Sequence, residues 1–180
     1  MAGRVNESFK FVWRVIAAHT IAYFIAGISA SSLFNYAGYL SSGTMSLFMK
    51  PATAPLVALG PCLQIVRGLI MGLALLPIRD AFTKERYGFL KLGLLIPGLS
   101  VLSTFAAATG SIDGFIYTKL SFMEHIMGYP EAIWWIFLFI GTLWTLYILE
   151  KKAIDLIALF LLVLIVLMSV AGYLDASQTI

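Results

Sequence analysis

Arg67 sits near the middle of a long apolar stretch, where a fixed positive charge costs about 2.5–3.5 kcal/mol on insertion scales. A guanidinium there must face protein, trapped water or a ligand. Gln64 precedes it by one helical turn and shares its face. Gly60, Gln64, Gly68 and Gly72 recur every four residues. They form a small or polar stripe beside the arginine that lets another helix approach closely. No carboxylate lies deep in any apolar stretch to neutralise Arg67. An anion or an anionic lipid headgroup would fill that role. Otherwise Arg67 ties helices together by donating to freed carbonyls and to Ser and Gln oxygens, or snorkels to the inner interface.

His19 is the other chemically versatile group within an apolar stretch. It suits a proton relay or a haem ligand, or it is a satisfied packing histidine. Tyr23 follows one turn later. The second histidine, His125, falls in an outer connection, too far along the membrane normal for paired haem ligation. Asp113, Glu124, His125 and Glu131 are metal-ligand types without metal-ligand spacing. Cys62, the only cysteine, reads as a small buried hydrophobe. There is no nucleophile elbow, phosphate loop, dinucleotide fingerprint or His-Glu-x-x-His helix. These absences argue against an enzyme, and no cofactor or metal is implied.

The elements that hold these residues follow from composition. Hydrophobic residues make up 61% of the chain and charged residues 12%, against roughly half and a quarter in soluble domains. So much apolar surface needs a lipid bilayer as its solvent. Five stretches meet the requirement of about 20 apolar residues per crossing: residues 11–34, 52–78, 89–109, 132–149 and 153–174. The fold expected is an all-α integral membrane protein, a single bundle of about five transmembrane helices. Short connections make the second and third helices neighbours, and the fourth and fifth. At matched depth, Ser100 lies level with Arg67, and Ser103 and Thr104 lie level with Gln64. These residues are expected to share a polar layer between the second and third helices. Pro61 and Pro97 should break those two helices, freeing the carbonyls of Val57 and Gly93.

Orientation follows from the basic residues. Arg4, Lys10, Arg14, Arg79, Lys84, Arg86, Lys91, Lys151 and Lys152 fall on one side, and Lys50 and Lys119 on the other. This predicts the N-terminus inside and the C-terminus outside. Tyr36, Tyr39, Phe115, Tyr117, Phe122, Tyr129, Trp134 and Trp135 form the expected outer aromatic belt. Residues 118–127 read as a surface helix or a plain loop. The first stretch resembles a secretion signal with a site at Ile28-Ser29-Ala30, but its length and His19 favour retention. Ala18, Ala22, Ala26 and Ala30 form a packing stripe. Asp155 is expected to pair with Lys151 or Lys152, or to favour its helix N-terminus.

The function expected is that of a non-enzymatic, multi-pass protein of the cytoplasmic membrane, a subunit in a larger membrane assembly with a partner protein or further copies of itself. One alternative is a small transporter or channel with an anion or polar-ligand site at Arg67, Gln64, Ser100, Ser103, Thr104 and His19. Another is a membrane enzyme or redox subunit using His19. The net charge of +3 comes from basic residues flanking apolar stretches, not from basic tracts interleaved with stacking aromatics, so nucleic acid is not a partner.

Overall fold

The computed structural model describes residues 2–35, 38–39, 41, 43–47, 49–104 and 106–178, with side chains from residue 6 onward. Tyr36 and the side chain of Arg4 lie outside the described residues. Every regular element among those residues is helical. In chain order they are α1 (Ala2–Leu33), α2 (Pro55–Ala58), α3 (Gly60–Leu75), α4 (Asp80–Thr83), α5 (Gly88–Pro97), α6 (Ile112–Tyr117), α7 (Phe122–Ile126), α8 (Tyr129–Leu149) and α9 (Lys152–Gln178). A 3-10 helix, Gly43–Leu47, lies between α1 and α2, a 3-10 turn, Leu76–Ile78, extends α3, and a π turn, Gly98–Leu102, extends α5.

Four of the helical stretches are long and apolar enough to cross a membrane: Asn6–Leu33, Gly60–Ile78, Phe122–Leu149 and Lys152–Gln178. The stretch expected to supply a further crossing, residues 89–109, is helical only to Leu102. Ten residues of α5 and five of its π turn give about 22 Å of helix, short of the roughly 30 Å hydrocarbon core. The cause is local. Pro97 has no N–H to give, and the helix widens just after it. The Ser103 N–H reaches back to the Gly98 carbonyl at 3.0 Å, and the Ser103 hydroxyl donates to the same oxygen at 2.6 Å.

Pro61 interrupts the second stretch as expected. The helical path breaks at Leu59, between α2 and α3, in the turn before the proline. Pro61 itself occupies the first turn of α3, where its missing N–H is one of the helix's unpaired donors anyway.

Three long-range ion pairs fix the relative directions of the helices. Glu7 of α1 meets Arg79 just past α3, Lys10 meets Glu150 at the end of α8, and Arg14 meets Asp155 in the first turn of α9. The start of α1, the ends of α3 and α8 and the start of α9 therefore share one end of the bundle. Helices α3 and α8 run antiparallel to α1, and α9 runs parallel to it. Because α3 and α8 both descend toward this end, the chain between them must climb back, and α5 makes the first part of that ascent.

Helix α1 is the axis of the fold. It packs on α3, α8 and α9, and its residues 11, 14, 15, 17–22, 26 and 30 are buried on every side. Residues 17–22 are buried in succession, so this stretch needs no one-sided apolar stripe, while Ile25 and Ile28 beyond it are exposed. The expected alanine stripe is buried throughout, at Ala18, Ala22, Ala26 and Ala30. Close approach by α3 is carried by its glycines. A Cβ on Gly68 would stand 2.9 Å from the Ile16 Cα, and one on Gly72 would stand 3.2 Å from the Val12 Cα.

Candidate functional site

Helix α3 presents Gln64 and Arg67 on adjoining positions of its path past α1. His19 is fully buried, and its Nε2 lies 3.1 Å from the Gln64 Oε1. Gln64 is oriented by its own backbone, because its amide nitrogen donates to the Gly60 carbonyl at 3.3 Å. The Gln64 oxygen therefore faces the ring and accepts from His19 Nε2–H. The ring's Nδ1 is buried and has no hydrogen-bond partner among the described residues. The ring packs edge-on against Trp135 and Phe139 of α8, at 5.3 and 6.2 Å between centroids. The indole Nε1 of Trp135 is likewise buried without a partner.

The Arg67 side chain is exposed at mid-height on α3. Its guanidinium carbon lies 5.9 Å from the Trp135 ring centroid, a cation–π distance. No carboxylate among the described residues forms an ion pair with Arg67. Beyond Tyr23 a cleft of about 370 Å³ opens between α1, the α2–α3 region and the start of α8. Tyr23, Ser31, Ser32 and Glu131 supply its polar lining.

The expected site residues thus divide into two groups. Arg67, Gln64 and His19 come together, and α8 adds Trp135. Ser100 and Ser103 are turned to their own helix, donating to the carbonyls of Ile96 at 2.7 Å and Gly98 at 2.6 Å. Thr104 is the second residue after the π turn, where the helix has ended. Helix α5 packs chiefly on α8, so the polar neighbourhood of Arg67 lies between α1, α3 and α8. A short connection between α3 and α5 did not make them the principal partners.

A second polar centre was not foreseen. Arg14, read from the sequence as a flanking charge, is fully buried. Its Nε and Nη2 donate to the two carboxylate oxygens of Asp155 at 3.2 and 3.3 Å. The Glu150 carboxylate lies 3.7 Å from its Nη1, and its guanidinium carbon lies 4.7 Å from the Tyr147 ring centroid. Asp155 thus pairs with Arg14, not with the adjacent lysines. The only advance signal was an acid in the first turn of a helix beginning at the same end as an arginine on α1.

The connection between α5 and α8 folds around His125. Ser121 and Glu124 form a capping box that starts α7, so the surface helix is shorter than residues 118–127. The buried His125 accepts from the Gly110 N–H at Nδ1, 3.0 Å, and its Nε2 lies 3.2 Å from the Thr118 hydroxyl. Phe115 stacks on the ring at 4.1 Å. Gly110 has φ of 82°, a left-handed conformation that glycine adopts without strain. Both histidine nitrogens are engaged in holding this loop.

No family model matches the chain, and neither a curated protein nor a solved structure matches it.

Proposed function

We propose that the chain is a multi-pass protein of the cytoplasmic membrane that works as a subunit of a larger membrane assembly. Its N-terminus lies inside, its C-terminus lies outside, and α5 with the residues after it completes a fifth crossing. The observation that carries the assembly reading is Arg67. It is exposed at mid-height on a membrane-length apolar helix, over Trp135 and without an ion-paired carboxylate among the described residues. A cation at that depth is costly when it faces lipid. A partner helix bringing a polar or acidic group to it removes the cost.

The orientation is supported by the basic residues at the end of the bundle where α1 starts. Labelling Ser177→Cys in intact cells, with Cys62 replaced, tests it. Modification without permeabilisation is expected, and modification only after permeabilisation would reverse the orientation.

The assembly is tested by native electrophoresis of the tagged chain from its own membranes. The wild type is expected to migrate well above its 19.8 kDa. Arg67→Met should fall to the lone chain while remaining folded. Arg67→Lys should hold part of the assembly, since charge remains and only the planar fork is lost. A wild type that migrates alone would overturn the reading, as would an assembly indifferent to Arg67→Met.

The cleft lined by Tyr23, Ser31, Ser32 and Glu131 supports a second reading, a transport protein with a polar-ligand site. Under it Arg67→Met would abolish ligand flux in proteoliposomes and leave the native mass unchanged.

A further inference from the structure

A groove of about 590 Å³ runs along the bundle surface between α5 and α8. Phe89, Gly93 and Pro97 form one wall, and Ile133, Gly141 and Trp144 contribute to the other. Nothing in it is charged. Two features set it apart from ordinary lipid-facing surface. The first is the pair of glycines. A Cβ on Gly141 would meet nothing within 4 Å, and one on Gly93 only Ile140 Cγ1 at 3.8 Å. Neither glycine is needed for helix contact, although each costs its helix about 1 kcal/mol relative to alanine. What they do is keep the groove open.

The second feature is length. Ile133 to Trp144 spans about 16 Å of α8, close to half of a roughly 30 Å hydrocarbon core. A transmembrane helix of a partner or a second copy would need a groove about twice as long. An acyl chain from one leaflet fits the length. The Phe89–Trp144 end of the groove lies toward the charged end of the bundle. There Lys84, Lys91 and Arg79 are matched by Asp80, Glu85 and Glu7. Arg86, three residues before Phe89, rests on the Tyr87 ring at 5.3 Å. Arg86, Lys151 and Lys152 have no ion-paired carboxylate among the described residues.

We infer that this groove holds one acyl chain of an anionic phospholipid from the leaflet at the basic end, with Arg86 at its headgroup. The inference rests on the chain lying in a bilayer and is independent of any partner at Arg67.

The test uses the full chain, delipidated in detergent and titrated with phosphatidylglycerol or phosphatidylcholine, with bound lipid counted by native mass spectrometry. One tightly held lipid is expected, with about fivefold preference for phosphatidylglycerol, the ratio one nearby cation supplies. Gly141→Leu should weaken both lipids by at least about tenfold, since two displaced methylenes already weigh that much. Arg86→Gln should abolish the preference and leave phosphatidylcholine binding unchanged. Leu94→Trp narrows the groove from the exposed side of α5 and serves if Gly141→Leu does not fold. Arg67→Met should bind lipid as the wild type does. Undiminished lipid binding in the folded groove-filling variants would overturn the site. A preference that survives Arg86→Gln would overturn the headgroup assignment. Disulfide-linked dimers of Trp144→Cys that exclude lipid would give the groove to a second copy.

Discussion

Asp155→Asn is expected to destabilise the bundle by about 3 kcal/mol, the lower part of the range for breaking a buried ion pair. Arg14 has no exposed surface, and Asp155 contacts it through both carboxylate oxygens. Removing the negative charge leaves a guanidinium buried among Phe11, Tyr147 and the α1–α9 contact. Glu150 at 3.7 Å moderates the loss but approaches only Nη1, which has no hydrogen bond among the described residues. Arg14→Met combined with Asp155→Leu should restore stability to the wild-type level or above, because both desolvation penalties vanish together. Thermal unfolding of the wild type, Arg14→Met, Asp155→Leu and their combination in one detergent gives the cycle, with Asp155→Asn measured beside them. If the two single variants were each within about 1 kcal/mol of wild type, as exposed pairs are, the pair would be solvated and the account wrong.

Gly68→Val should be comparably damaging, through packing alone. The added Cβ would lie 2.9 Å from the Ile16 Cα, 3.4 Å from the Ile16 carbonyl oxygen and 3.5 Å from the His19 ring. The nearest atoms are backbone and cannot rotate aside, so α3 has to move away from α1. Overpacking of this kind costs about 1–3 kcal/mol for extra methylenes in a tight core, and valine's branching places it at the upper end. The shift would also stretch the His19–Gln64 hydrogen bond. Gly27→Ala is the control, since a Cβ there meets nothing within 4 Å. Unfolding temperature and amide exchange along α1 should change for Gly68→Val alone. Equal tolerance at both positions would mean that α1 and α3 do not touch at Gly68.

The helical class, most of the long apolar stretches, the gathering of basic residues at one end, and the small-residue faces at Ala18–Ala30 and Gly68–Gly72 are all legible along the chain. Each of these is a local property. Length, periodicity and side-chain size act within one helix and can be read along one segment. The tertiary structure decided what each face meets. The sequence placed Arg67 beside Gln64 correctly but supplied the wrong wall, because depth matching aligns Ser100 and Ser103 with it without fixing which helices are neighbours. The fold puts α8 there, with Trp135, while those serines satisfy their own carbonyls after Pro97. Asp155 and Arg14 are 141 positions apart, and no periodicity links them. Only the docking of α9 parallel to α1 turns a flanking charge into a buried one. The shortening of α5 is different in kind, a local event at Pro97 that the sequence left open, since a Pro–Gly pair permits either a kink or an end to the helix. The physical reason is common to the other two. In an apolar solvent every helix has several equally oily faces, so burial does not choose among partners, and the choice falls to shape fit and to the pairing of a few charges across the bundle.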